Sequence, residues 1–104
     1  MIRISVMYPN QPGARFDMDY YAESHMDMVH RCFDSHGLRG VTIDRGVGGG
    51  TSGSEAPYLC MGVLTFDSMA SYKEAFKIHG KALMADISNF TDIVPEVQVS
   101  EVVL

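Results

Sequence analysis

The chain of 104 residues has no run of lysine or arginine, and its 8 basic side chains are outnumbered by 13 acidic ones, giving a formal charge of -5. Without a basic field nothing draws in a phosphate backbone, so nucleic acid is excluded as an expected partner. Long apolar runs are also missing. The longest, around YLCMGVL, falls far short of the roughly 20 residues needed to span a bilayer. The first residues, MIRISVMYPN, carry neither the basic nor the apolar region of a signal peptide. The expectation is a cytoplasmic protein with no membrane partner. Cysteine is scarce: Cys32 and Cys60 stand at a spacing that matches no metal or redox motif, which leaves two reduced, mostly buried thiols. No glycine pattern cradles a phosphate at a helix start, because GVGGG leads into a loop, so nucleotide binding is excluded too.

What is present is an ordinary globular composition, 46% hydrophobic and 20% charged, in a length that supports one core and one domain over residues 1–104. IRISVMY reads as a strand, stopped by the prolines and glycine of PNQPG. FDMDYYAESHMDMVHRCFDSHG reads as a helix, with Asp17 as N-cap, acids in the first turn, and Gly37 as the residue that ends it. Its polar face runs Asp19, Glu23, Asp27, Arg31 and Asp34, with Asp27 and Arg31 at the favourable i,i+4 spacing. Its apolar stripe runs Tyr21, His25, Met28, Val29, Cys32 and Phe33.

LRGVTIDRGV is a second strand, GGGTSGSEAP a flexible hairpin connection, and YLCMGVLTF a central strand that is apolar on both faces. Asp67 and Ser68 offer an N-cap for a second helix, whose stripe is Met69, Tyr72, Phe76, His79 and Leu83, with Gly80 as a weak point. DISNFTDIVP is an irregular link and EVQVSEVV an alternating last strand. The order βαββαβ is that of a ferredoxin-like α+β sandwich, with both helices on one face of a four-stranded antiparallel sheet. The other face is bare while the middle strand is apolar on both sides, so a symmetric second copy is the simplest cover.

Two of the four histidines, His25 and His79, lie in the apolar stripe of their helices, and both stripes face the same sheet. The two imidazoles could line one space, where an unperturbed imidazole suits proton transfer near neutral pH. A stripe histidine satisfied by a backbone carbonyl is the plain alternative. Tyr21, one turn before His25, and Tyr58, at the start of the central strand, offer phenols that could orient a substrate or stabilise an enolate. A metal site is disfavoured: His25 and His30 are about 140° apart around a helix and cannot face one ion. No motif supports a haem ligand, and no cofactor is expected.

FDMDYYAESHMDMV resembles the Phe-Asp, Tyr-Tyr, His signature of EthD-like proteins, and DISNFTDIVP is similar to that family's segment before the last strand. MIRISVMYPN, GLRGVTIDRGVGG and PYLCMG are similar too, so the resemblance covers nearly the whole chain. One departure is Asp27, where the family usually has proline. The resemblance implies a dimeric α+β barrel, two sheets face to face, with an apolar cavity between sheet and helices in each subunit. Similar barrels host cofactor-free monooxygenases, lactone isomerases, polyketide cyclases and some haem-handling enzymes, so the fold leaves the reaction open. The family takes its name from an association with alkyl ether degradation. Carried over by position, His25 matches the motif histidine, with His79 and the Asn89 to Asp92 segment in support.

Two classes of function follow. In the first, an enzyme, His25 and His79 serve acid/base chemistry on a small, largely apolar, oxygenated substrate. Tyr21, Tyr58, Phe76, Asn89 and Asp92 then contact that substrate. In the second, a non-catalytic dimer binds such a molecule or supports an oxygenase partner. The paired stripe histidines favour the first.

Overall fold

The computed structural model describes residues 1–104. Strand β1 (Ile2–Pro9) is followed by helix α1 (Met18–Phe33), strands β2 (Leu38–Arg45) and β3 (Tyr58–Phe66), helix α2 (Met69–Asp86) and strand β4 (Glu96–Glu101). The strands form one antiparallel sheet in the order β2-β3-β1-β4. This is the four-stranded, two-helix ferredoxin-like arrangement that the element order implied. No helix is long and apolar enough to cross a membrane.

The register fixes which side chains meet the helices. Ile4 pairs with Leu64 and Tyr8 with Cys60, and all four are buried beneath the helix layer. Paired residues share a face, so Met7 with Met61 and Ser5 with Val63 occupy the opposite one, which no element of the chain covers. That face carries Met7, Leu59, Met61 and Val63 at its centre, the two-sided apolar character read from the sequence. On β4 the helix-side valines Val97 and Val99 are 53% and 40% exposed. Their alternation is correct, but the helices stop short of this edge strand.

Helix α1 departs from a plain α-helix. It opens with an α turn over Met18–Tyr20, continues as a π-helix over Tyr21–His25, and returns to α geometry over Met26–Phe33. Asp17 caps it by accepting from the Tyr20 N–H, and Gly37 ends it with a φ of 90° in the left-handed region. In the π segment the Met26 N–H reaches back to the Tyr21 carbonyl, so one extra residue enters the turn. The apolar stripe shifts accordingly. Tyr21, His25, Met26, Val29 and Phe33 are buried, whereas Met28 and Cys32 are only half-buried.

Helix α2 is capped by Ser68, which accepts from the Ser71 N–H. Its buried residues are Ala75, Gly80 and Leu83, while Met69 and Phe76, placed in the stripe by spacing, are 38% and 41% exposed. A Cβ on Gly80 would meet the Phe76 ring at 2.8 Å, so the glycine leaves room for that ring on the helix surface.

Candidate active site

The two sequence motifs interlock in space, His25 meeting Asp86 across 61 positions of the chain. Asp17 N–H donates to the Phe90 carbonyl at 2.7 Å, Phe16 bridges to Thr91, and the Thr91 hydroxyl donates to the Arg15 carbonyl at 2.7 Å. The Arg15 guanidinium donates to the carbonyls of Ser88 and Asn89 beyond the end of α2. Phe90, fully buried, packs against Tyr8, Phe16, Tyr20, Tyr21 and His25, with its ring centroid 4.9 Å from the imidazole of His25. Tyr21 stacks on His25 from the preceding turn, 5.7 Å between centroids and 20° between planes. The π segment presents both rings, with Met26, to one side.

Asp86, the last residue of α2, completes the arrangement. Its Oδ2 lies 2.8 Å from His25 Nδ1, while its Oδ1 accepts from the Tyr20 hydroxyl at 2.8 Å and from Asn89 Nδ2 at 2.9 Å. Burial pushes the Asp86 carboxyl up, but the donors from His25, Asn89 and Tyr20 outweigh it and hold the group below the ordinary carboxylate range. An ionised carboxylate can only accept, so Nδ1 of His25 carries a proton. In the neutral ring the lone pair is then on Nε2. Every sealed side-chain nitrogen and oxygen has a hydrogen-bond partner; Nε2 has none, so it keeps contact with open space although His25 is only 7% exposed.

The His25 ring is part of the wall of a cavity of about 240 Å³ between sheet and helices. Of its 17 lining residues 14 are hydrophobic, which makes it a site for an apolar molecule. His25, Tyr21, Tyr8 and Tyr72 give it polar points. Gly62 on β3 matters here, because a Cβ at this position would occupy the place of the Tyr21 hydroxyl. Burial pushes the phenols of Tyr8 and Tyr21 well above the ordinary tyrosine range, so both remain protonated hydrogen-bonding groups. The Cys60 thiol is likewise pushed up to about 11 by burial, with Asp44 adding to it.

The residues singled out from the sequence do not all converge. His25, Tyr21 and Phe76 line the cavity. His79 does not; its ring lies 5.4 Å from that of His36 and 6.2 Å from that of Phe33, so the two stripe histidines do not share one space. Tyr58 is outside too, its hydroxyl donating to Glu96 Oε1 at 2.8 Å. Asn89 and Asp92 serve the scaffold: Asn89 holds Asp86, and Asp92 Oδ1 accepts from the Arg15 N–H at 3.0 Å. Asp86 was not among the sequence candidates, although it is the first residue of the DISNFTDIVP segment that carried the resemblance.

A four-stranded antiparallel sheet under two helices, with a histidine presented to an apolar cavity, defines a small-molecule protein of the ferredoxin-like class. The EthD domain profile matches residues 14–93, and the chain belongs to the EthD family. It is 38% identical to an EthD-like protein of Ralstonia eutropha JMP134, over 99% of this chain and 92% of that one, with a TM-score of 0.92. An ethyl tert-butyl ether D (EthD) family protein of Bacillus halodurans C-125 is 20% identical over 98% of both chains, with a TM-score of 0.74. A dimeric ferredoxin-like protein from an uncultured marine organism shares the fold at 14% identity and a TM-score of 0.56, over 100% of this chain and 96% of that one. No curated protein is significantly similar to the chain.

Proposed function

We propose that this protein is a homodimeric catabolic protein of the cytoplasm, in which His25 is a general acid/base for a small, largely apolar, oxygenated molecule. The observation that carries this reading is the division of labour on one ring: Nδ1 is held by Asp86, Nε2 has no partner, and the ring belongs to the wall of an apolar cavity. A substrate proton beside a carbonyl transfers to Nε2, and its electron pair moves onto the carbonyl oxygen to form an enolate. The Asp86 carboxylate stabilises the imidazolium this creates, and a buried phenol, that of Tyr21, donates to the enolate oxygen. Returning the proton from Nε2 to a different carbon gives an isomerase outcome; attack of the enolate carbon on a second carbonyl of the same molecule, whose oxygen then takes the proton from Nε2, gives a cyclase outcome; addition of dioxygen to the enolate carbon gives an oxygenase outcome through a hydroperoxide. None requires a cofactor. A second copy covers the bare sheet face through Met7, Leu59, Met61 and Val63.

The test is loss of the α-proton NMR signal in D₂O for a panel of small aryl ketones, lactones and enones. Wild-type protein accelerates exchange on a substrate of the right shape, and His25→Gln reduces that rate by about 100- to 10,000-fold. Full exchange by the variant would end the acid/base reading. Molecules that bind without exchange would assign the protein instead to non-catalytic binding in support of an oxygenase system, such as one for ether degradation.

A further inference from the structure

The wall of the cavity has a charge character more specific than apolarity. Its 17 residues include no lysine, arginine, aspartate, glutamate, asparagine or glutamine. An anionic head group entering it would lose its hydration and meet no fixed positive charge, with the ionised Asp86 carboxylate behind the His25 ring. A neutral head bearing one weakly acidic O–H finds partners for both its functions. It donates to His25 Nε2 and accepts from a tyrosine hydroxyl.

The mouth adds a second constraint. Phe76, Met84 and Val97 line the cavity and are also 41%, 52% and 53% exposed, so the apolar wall continues without a break to the outside. The cavity volume of about 240 Å³ is that of about eight water molecules at ~30 Å³ each. One ring fills most of it. Any longer apolar substituent must lie along the exposed rim formed by α2 and β4.

We propose that the cavity selects uncharged molecules with a single weakly acidic O–H head directed at His25 and an apolar tail running out over Phe76, Met84 and Val97, and that it rejects carboxylates of the same shape. The direction of the head rests on the acid/base reading of His25; the preferences for charge and tail do not. The experiment is isothermal titration calorimetry of the full chain with phenol, its para-ethyl, para-butyl and para-hexyl derivatives, and para-butylbenzoate. It is run at about pH 8, where a benzoate is ionised and a phenol is not. Affinity rises along the phenol series by about fourfold per methylene buried. The benzoate binds more than tenfold more weakly than para-butylphenol.

Phe76→Ser, at a partly exposed position of the cavity wall, weakens para-hexylphenol by a larger factor than it weakens phenol. Benzoate binding within tenfold of its phenol, a flat tail series, or no phenol binding at all would each overturn the proposal. Selective phenol binding by a protein that exchanges no α-proton would sink the catalytic reading and leave this one standing. Exchange activity with equal binding of phenol and benzoate would do the reverse.

Discussion

His25 and His79 occupy equivalent places in the pattern of their helices, yet the structure gives them opposite surroundings. His25 is 7% exposed, tied to a carboxylate, packed against Tyr21 and Phe90, and part of the wall of an apolar cavity. His79 is half-buried, makes no side-chain hydrogen bond, and rests against His36 and Phe33. Beside that end of the helix layer is a hollow lined by Ser35, His36, Gly37, Asp67, Ser71 and Glu74, without one hydrophobic side chain. A stripe position brings an imidazole to the interior side of a helix. What makes it available for chemistry is a partner that fixes its proton and an apolar cavity beside the ring, and only the His25 end has both.

The strongest way to break this contrast is to remove the partner while keeping its shape. Asp86→Asn allows the amide NH₂ to face Nδ1, which then has to accept, and the ring proton moves to Nε2. The lone pair facing the cavity is lost. We expect the exchange rate to fall by about 100-fold or more with little change in KM, whereas His79→Gln stays within about twofold of wild type. Equal losses in the two variants, measured as kcat and KM separately, would show that the carboxylate does not distinguish the two ends.

Stability sharpens the comparison next. Phe90 is fully buried among five aromatic or imidazole rings from β1, α1 and the segment before it, so Phe90→Ala leaves a cavity between the two motifs and costs about 3–5 kcal/mol. Phe76, at the cavity mouth and 41% exposed, has water on one side already. Phe76→Ala is expected to cost less than about 1.5 kcal/mol. Urea unfolding with unchanged m-values measures both, and a Phe90 cost as small as that of Phe76 would mean that the interlocked motifs are not a cooperative unit.

This contrast also shows how far the sequence reaches. Asp17, Ser68 and Gly37 act as the helix boundaries their residue types predict, because capping is a local matter of one side chain and the nearest N–H groups. The two-sided apolar pattern of Tyr58–Phe66 likewise places it inside the sheet. The π segment is not legible in this way. One extra residue in a turn exchanges Met28 for Met26 on the buried side, and no residue between Tyr21 and His25 signals it. Asp86 is a harder case: at the end of a helix it reads as a solvated acid, and its three donors come from Tyr20, His25 and Asn89, two of them on another helix. The signal available was that two motifs of one family, each with unpaired polar residues, require partners.

The smallest expected effect concerns acid. Each end of the helix layer has a carboxylate held below its ordinary range. At Asp86 burial opposes this, and three side-chain donors prevail. At Asp67 the leading cause is the hydrogen bond with Ser71, with Arg39 contributing from 3.7 Å. A carboxyl whose folded value lies below its unfolded value of about 3.9 adds stability that is complete above that pH, and is lost as pH falls through the folded value. The difference in Tm between wild type and Asp86→Asn therefore narrows below about pH 4, as wild type loses what the variant never had. For Asp67→Asn the same narrowing is expected to be weaker, because its side chain is 37% exposed against 13% for Asp86 and solvent screens its contacts. Calorimetric scans of the three proteins between about pH 5 and pH 2.5 resolve the order. A gap for Asp86→Asn that stays constant with pH would show that the three donors orient the carboxylate without holding its charge, and the argument for a proton fixed on Nδ1 would fall with it.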